Sequence, residues 1–341
     1  MYMDNKTNRT FSTKTIVILI IAPVLAMTVS LCLGRLIIPP AIILKSFLAK
    51  LGLSEGSSAQ IETVIWGIRF PRILIAALVG AGLSLAGLAF QGIFSNPLAT
   101  PDTLGVASGS SFGAVLGILL DFGLTGIQLI AMFFGLLAVF LTWVTGHGKN
   151  RGTTVMVLSG IMMGSLFNAL ISLVRYLANT ETQLPAITYW LMGSLSGRGY
   201  STLAIGSPLI ITGCVILFLL RWRLNILPLN NDEAKASGTN IRALRAITIL
   251  CAVGMTASCV SMCGQVGWVG LLVPHMCRMR FGNNHMKLVP TCISTGMTFV
   301  IIVDTIARSM ATTEIPISIL TAIIGAPYFI YLVRKNGGWS I

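Results

Sequence analysis

Ten apolar runs follow one another along this chain, with only short polar breaks between them. They lie near residues 15–34, 62–84, 103–120, 124–145, 154–177, 201–221, 243–262, 266–280, 288–309 and 315–333. A hydrocarbon interior offers no partner to a loose N–H or C=O, so a crossing segment must satisfy its backbone internally, as a helix does. One crossing takes roughly 20 apolar residues, and ten of them use up most of a 341-residue chain. Only 10% of the residues are charged, against about 25% in soluble domains. The fold class is therefore all-α and polytopic, with about ten transmembrane helices. One membrane domain spans 15–335, between short tails at 1–14 and 336–341. The third and eighth runs are short and Gly-rich, and interrupted spans of that kind often flank a transport path.

Charge sets the orientation. The formal net charge is +13, which in a soluble protein would raise nucleic acid as a partner. Here basic residues collecting in loops held on the cytoplasmic side explain it without one. With the N-terminus inside, the inner loops are 85–102, 146–153, 222–242 and 281–287. With the C-terminal tail and the helix ends beside them they carry Lys149, Arg151, Arg221, Arg223, Lys235, Arg242, Lys287, Arg334 and Lys335. The outer loops hold chiefly Arg35, Lys45, Lys50, Arg69 and Arg198. Both termini are expected in the cytoplasm. The first run is long and lacks a small-residue cleavage site, so it reads as an uncleaved span rather than a signal peptide. Seven cysteines form no CxxC pair and read as small buried hydrophobes. In the long outer segment 35–61, Ile42, Ile43, Phe47 and Leu51 recur at roughly helical spacing. That fits a helix lying on the outer surface or a plain loop.

The polar break Asn96-Pro97-Leu98-Ala99-Thr100-Pro101-Asp102 must sit at a bilayer edge or line a protein cavity. It belongs to an ordered set of motifs. Arg69-Phe70-Pro71-Arg72 leads into Gly80-Ala81-Gly82-Leu83-Ser84 and Gln91-Gly92. Leu158-Ser159-Gly160 and Trp190-Leu191-Met192-Gly193 follow. Gly267-Trp268-Val269-Gly270 with Val273-Pro274-His275, then Asp304, Arg308, Glu314-Ile315-Pro316 and Gly325-Ala326-Pro327, complete it. From about residue 60 to 335 this set resembles the FecCD-type permeases of ABC importers, which serve ferric siderophores, haem and cobalamin. The sequence departs from that pattern at Gln265, where the family has Pro, and at Trp268, where it has Phe. Near the coupling segment it has Asn230 and Asn231 where a Gly is usual, and Lys235 where an Arg is. An echo of Arg69–Ser84 in Arg242–Ser258 is what an inverted repeat would leave.

The resemblance implies a type II importer permease in a bacterial or archaeal cytoplasmic membrane. It implies pairing with a second permease copy, as homodimer or heterodimer. It also implies two cytoplasmic ATPase subunits and an extracytoplasmic substrate-binding protein. The sequence contains no GxxxxGK[ST] phosphate loop, so ATP chemistry falls to those partners. The chain is expected to be no enzyme and to hold no cofactor. Around 230–240, Asp232, Glu233, Ala234, Lys235 and Ala236, stopped by Gly238, describe a short helix. Through the resemblance it becomes the coupling helix seated in an ATPase; a solvated loop helix is the plainer alternative. Arg69, Arg72 and Arg308 map to the outer face, where the resemblance has them meet carboxylates of the binding protein. The plainer alternative is snorkelling to headgroups.

Gly160, Gly164, Asn168, Ser172 and Arg175 recur on one side of the fifth run. They are expected to form a dimer-facing wall of the translocation path, with packing inside the subunit as the rival. Asn96, Pro97, Pro274 and His275 are expected at a gate or helix break. His275, Cys277 and His285 fit no common zinc spacing, so no metal site is expected. Asp304 and Arg308, four apart, are expected to pair on one helix. The cargo is expected to be a ferric siderophore, with haem or cobalamin as alternatives. An ion-coupled secondary transporter is the rival class, but it would want paired acids deep in its spans, and only Asp304 approaches that.

Overall fold

The computed structural model describes residues 11–54, 56–146, 153–229, 238–311 and 313–335. All ten apolar runs are helical. In chain order the helices are α1 (Thr13–Cys32), α2 (Pro40–Lys50), α3 (Ala59–Ile93), α4 (Val106–Leu119), α5 (Leu124–Gly146) and α6 (Thr153–Leu177). They continue with α7 (Gln183–Leu191), α8 (Tyr200–Leu220), α9 (Ile241–Cys263), α10 (Val269–Phe281), α11 (His285–Ser309) and α12 (Ile317–Lys335). No strand occurs among the described residues. Helices α1, α3, α5, α6, α8, α9 and α11 are long and apolar enough to cross a membrane. Helices α4 and α10, of 14 and 13 residues, are the runs already marked as short.

Burial sorts the helices into a centre and a rim. The most apolar windows of α3 and α9 are 89% and 78% buried, whereas those of α1, α5, α6 and α8 are at most 28%. Small residues put α3 at the centre, because they let helix backbones approach closely. A Cβ at Gly80 would stand 2.1 Å from the Gly296 carbonyl of α11, and one at Gly87 would stand 1.8 Å from the Gly270 carbonyl of α10. At Gly82 it would meet the Cys259 sulfur of α9 at 2.7 Å. Gly92, at the far end of α3, faces Leu227 in the connection from α8 to α9. The two helices therefore run antiparallel, the direction expected of the sequence echo.

Helix α3 is longer than the predicted run, and it passes through a π-helical turn at Thr63–Arg69 before Phe70–Ile93. Pro71 follows that turn and has no N–H to give the carbonyl four residues back. Two other prolines leave carbonyls that neighbouring helices satisfy. Pro23 frees the Leu19 carbonyl, which accepts from Ser294 Oγ of α11 at 2.6 Å. Pro274 frees the Gly270 carbonyl, which accepts from Gln91 Nε2 of α3 at 3.2 Å. Segment 35–61 does form a helix, α2. Its Ile43 joins a buried cluster with Leu31, Ile65 and Ile73, and Phe47 packs on Trp66 with ring centroids 4.7 Å apart. Leu51, expected on the same face, is 72% exposed.

Candidate functional site

The ends of α1 and α11 meet α3, just past its π-helical turn, in a cluster of charges. Arg72 Nε donates to both oxygens of Asp304 at 3.1 Å, Nη2 donates to Oδ1 at 2.8 Å, and Nη1 donates to Glu314 at 2.8 Å. Arg69 donates to the carbonyls of Leu31, Cys32 and Leu36. Leu31 and Cys32 lie in the last turn of α1, where carbonyls have no donor within the helix. Arg308 donates to the Ser30 carbonyl and, at 2.8 Å, to its hydroxyl. All three arginines are buried, at 4%, 6% and 7% exposure.

These positions bear on the expected docking set, Arg69, Arg72 and Arg308. The three arginines are brought together at one end, but their guanidinium groups turn inward and fasten helix ends. They do not present an exposed basic patch. The expected Asp304–Arg308 pair is also secondary, with a separation of 3.9 Å; the main partner of Asp304 is Arg72. Burial raises the Glu314 pKa, but the hydrogen bond and charge of Arg72 outweigh it and hold the carboxyl below the usual glutamate value.

At the other end of α3, the polar break is a sequence of turns closed by its own side chains. Asn96 Oδ1 accepts the Leu98 N–H at 2.9 Å, and the Ala99 N–H reaches the Asn96 carbonyl at 3.1 Å. Thr100 and Thr103 cap the 3₁₀ turn Pro101–Leu104 reciprocally. Asp102 Oδ1 accepts the Ala107 and Ser108 N–H groups at 3.1 and 3.3 Å, at the start of α4. Gly105 makes the corner between them at φ +74°. Asn96 is exposed, so this part of the break lies at the surface of the subunit. Pro274 is buried in α10, and the Gln91 that satisfies the Gly270 carbonyl it leaves free also accepts from Arg278. The His275 ring stands edge-on to Phe329 at 5.7 Å. His285 Nδ1 pairs with Asn225 Oδ1 at 3.1 Å. Among the described residues, no group of three or more His, Cys, Asp or Glu is placed to hold a metal ion.

Helix α6 divides the predicted face. Gly160 and Gly164 pack inside the subunit. A Cβ at Gly160 would lie 2.2 Å from the Thr103 carbonyl, and Gly164 faces Ser108 and Gly105 of α4 and its lead-in turn. Asn168, Ser172 and Arg175 are exposed. The two groups drift apart because a spacing of four residues advances about 40° beyond a full turn at 3.6 residues per turn. Along the buried side the glycines give way to Phe167, Ile171 and Val174.

Asp232, Glu233, Ala234, Lys235 and Ala236 lie outside the described residues. Gly238 is described and adopts φ +69°. The flanks are fixed. After the 3₁₀ turn Arg223–Ile226, Leu227 is buried, and Asn225 accepts the His285 N–H at 2.8 Å. Asn240 caps α9 by accepting the Ala243 N–H at 3.1 Å. Sequence reasoning did not single out Asn225, Asp102 or Gln91 in these roles. Their polar side chains at helix ends were the signal available.

A model of the FecCD transport family matches residues 19–335. The chain belongs to the FecCD transport family. It is 41% identical over 320 residues to the molybdate import system permease protein of Haemophilus influenzae, covering 93% of this chain and 95% of that one. It is 35% identical to the hemin transport system permease of Yersinia pestis, over 80% of this chain and 84% of that one. With a probable iron chelatin transport system permease of Helicobacter pylori the identity is 33%, over 82% and 85%. Among solved structures, an inward-facing ABC transporter assigned to the metal-chelate type superposes with a TM-score of 0.85 at 38% identity. That superposition covers 95% of this chain and all of the other. This FecCD chain is thus a multi-pass ABC importer permease, of a kind that works with ATPase and binding-protein partners.

Proposed function

We propose that this permease moves a metal-bearing anion inward across the cytoplasmic membrane, through a path bordered by α6. One observation carries the reading. Helix α6 exposes Asn168, Ser172 and Arg175 on a segment without any Asp or Glu. Polar side chains in a span ordinarily face protein or water rather than lipid. Pairing with a second copy, identical or related, would enclose that strip. ATP binding and hydrolysis in two cytoplasmic ATPases would act through the segment around Glu233 and Lys235, whose flanks are anchored to α8, α9 and α11. The termini would lie in the cytoplasm. A binding protein would dock at the opposite end, whose shape Arg69, Arg72 and Arg308 hold from within.

Two cargoes have support. Molybdate is favoured by the 41% identity to a molybdate permease over nearly the whole of both chains. A ferric chelate, a siderophore foremost, is favoured by the iron-chelatin relative at 33%. Proteoliposomes carrying the permease, its ATPase and its binding protein separate the two. ATP-dependent accumulation of labelled molybdate, without accumulation of ferric siderophore, is the expected result. The reverse pattern moves the assignment to the chelate, and uptake of neither removes both.

A further inference from the structure

An apolar groove of about 290 Å³ opens on the outside of the bundle between α1, α8 and α11. Phe11, Ile20, Pro23, Phe218, Pro290 and Met297 are among the residues that line it. Its shape follows from the sequence. Pro23 and Pro290 interrupt the bonding of α1 and α11 where the groove lies. Ser294 turns its hydroxyl into the Leu19 carbonyl, so the wall keeps no unsatisfied group there.

The rim is basic. The Arg221 guanidinium stacks 4.0 Å over the ring of Phe218, a groove residue. Arg280 lies 5.7 Å from the ring of Phe281, which packs edge-on against Phe11, another groove residue, at 5.9 Å. Lys14 and Lys287 belong to the first turns of α1 and α11 at this same end. No Asp or Glu occurs in 11–32, 200–229 or 269–303, so no carboxylate within these stretches offsets the positive charge. The positive-inside bias places this end at the inner leaflet, which carries the anionic lipids.

We propose that this groove is a binding site for one anionic phospholipid. An acyl chain lies along Ile20, Pro23 and Met297, and the phosphate is held between Arg221 and Arg280. Burial of methylene groups supplies affinity, and the two guanidinium groups supply preference for negative headgroups. The site spans α1, α8, α10 and α11, so an occupying lipid would tie the N-terminal helix to the central bundle.

Native mass spectrometry of the intact transporter tests this, with phosphatidylglycerol titrated against phosphatidylcholine of the same chains. One phosphatidylglycerol per permease copy is expected to bind in preference. Each of Arg221→Gln and Arg280→Gln is expected to reduce that preference about fivefold. Ile20→Trp, at a position 61% exposed, is expected to fill the groove and reduce binding of both lipids without lowering the melting temperature. Glycerol 3-phosphate, which has the headgroup charge and no chain, is expected not to compete. Equal affinity for the two lipids, an unchanged preference in both arginine variants, or competition by glycerol 3-phosphate would overturn the assignment.

Discussion

Arg72 holds two carboxylates at once, and at 1% exposure Asp304 has no water to fall back on. Removing one partner of a buried pair leaves the other charge uncompensated, which typically costs about 3–5 kcal/mol. Asp304→Ala is therefore expected to destabilise the permease by roughly that amount, read as a lower unfolding midpoint in detergent. Replacing the cluster together, as Arg72→Met with Asp304→Leu and Glu314→Gln, is expected to recover most of the loss. Glu314 adds a pH dependence. Its folded pKa lies below the ordinary 4.5, so its pairing stabilises the fold above that value and is lost as pH falls through the lowered one. Melting curves from pH 7 down to pH 3 are expected to fall more steeply for wild type than for Glu314→Gln. The motif Arg69-Phe70-Pro71-Arg72 was legible as important, but its direction was not. Asp304 lies 232 residues from Arg72 in sequence, and nothing local tells an arginine that faces a partner protein from one that faces its own fold.

Helix existence was legible from the apolar runs, because lipid leaves a crossing backbone few alternatives. Length was less so. A span is expected to match the bilayer at roughly 20 residues, yet α3 runs for 35. It is a core helix, wrapped by other helices rather than by lipid, so hydrocarbon thickness does not limit it. The small residues of α3 stood in the sequence only as part of a motif, and nothing local named their neighbours. Gly87 and Gly80 now have them, each a backbone carbonyl that cannot swing aside as a side chain end does. Gly87→Ala is expected to force α3 and α10 apart, with an overpacking cost of about 1–3 kcal/mol. Gly80→Ala is expected to do the same between α3 and α11. Gly123→Ala, where a Cβ would meet nothing within 4 Å, is the control and is expected to leave the unfolding midpoint unchanged. Equal midpoints for Gly87→Ala and Gly123→Ala would remove the close-approach account of the bundle centre.

At the scale of the whole molecule, the bundle puts polar groups where lipid would be expected. The rim helices α1, α5 and α8 show apolar side chains outward, such as Leu219 at 71% exposure. Helix α6 shows Asn168, Ser172 and Arg175 as well as leucines. An arginine near a helix end reaches the interface at little cost, but Asn168 lies well inside α6. A second permease copy with a water-filled seam between the two satisfies Asn168, and a lipid-facing α6 does not. The two arrangements predict different chemistry at single cysteines, placed in a background with Cys32, Cys214 and Cys251 replaced. In the assembled transporter, Ser172→Cys is expected to react with a membrane-impermeant maleimide and Leu219→Cys to stay unlabelled. Labelling of neither would place α6 against lipid or dry protein, and the translocation path would then have to be sought along another helix.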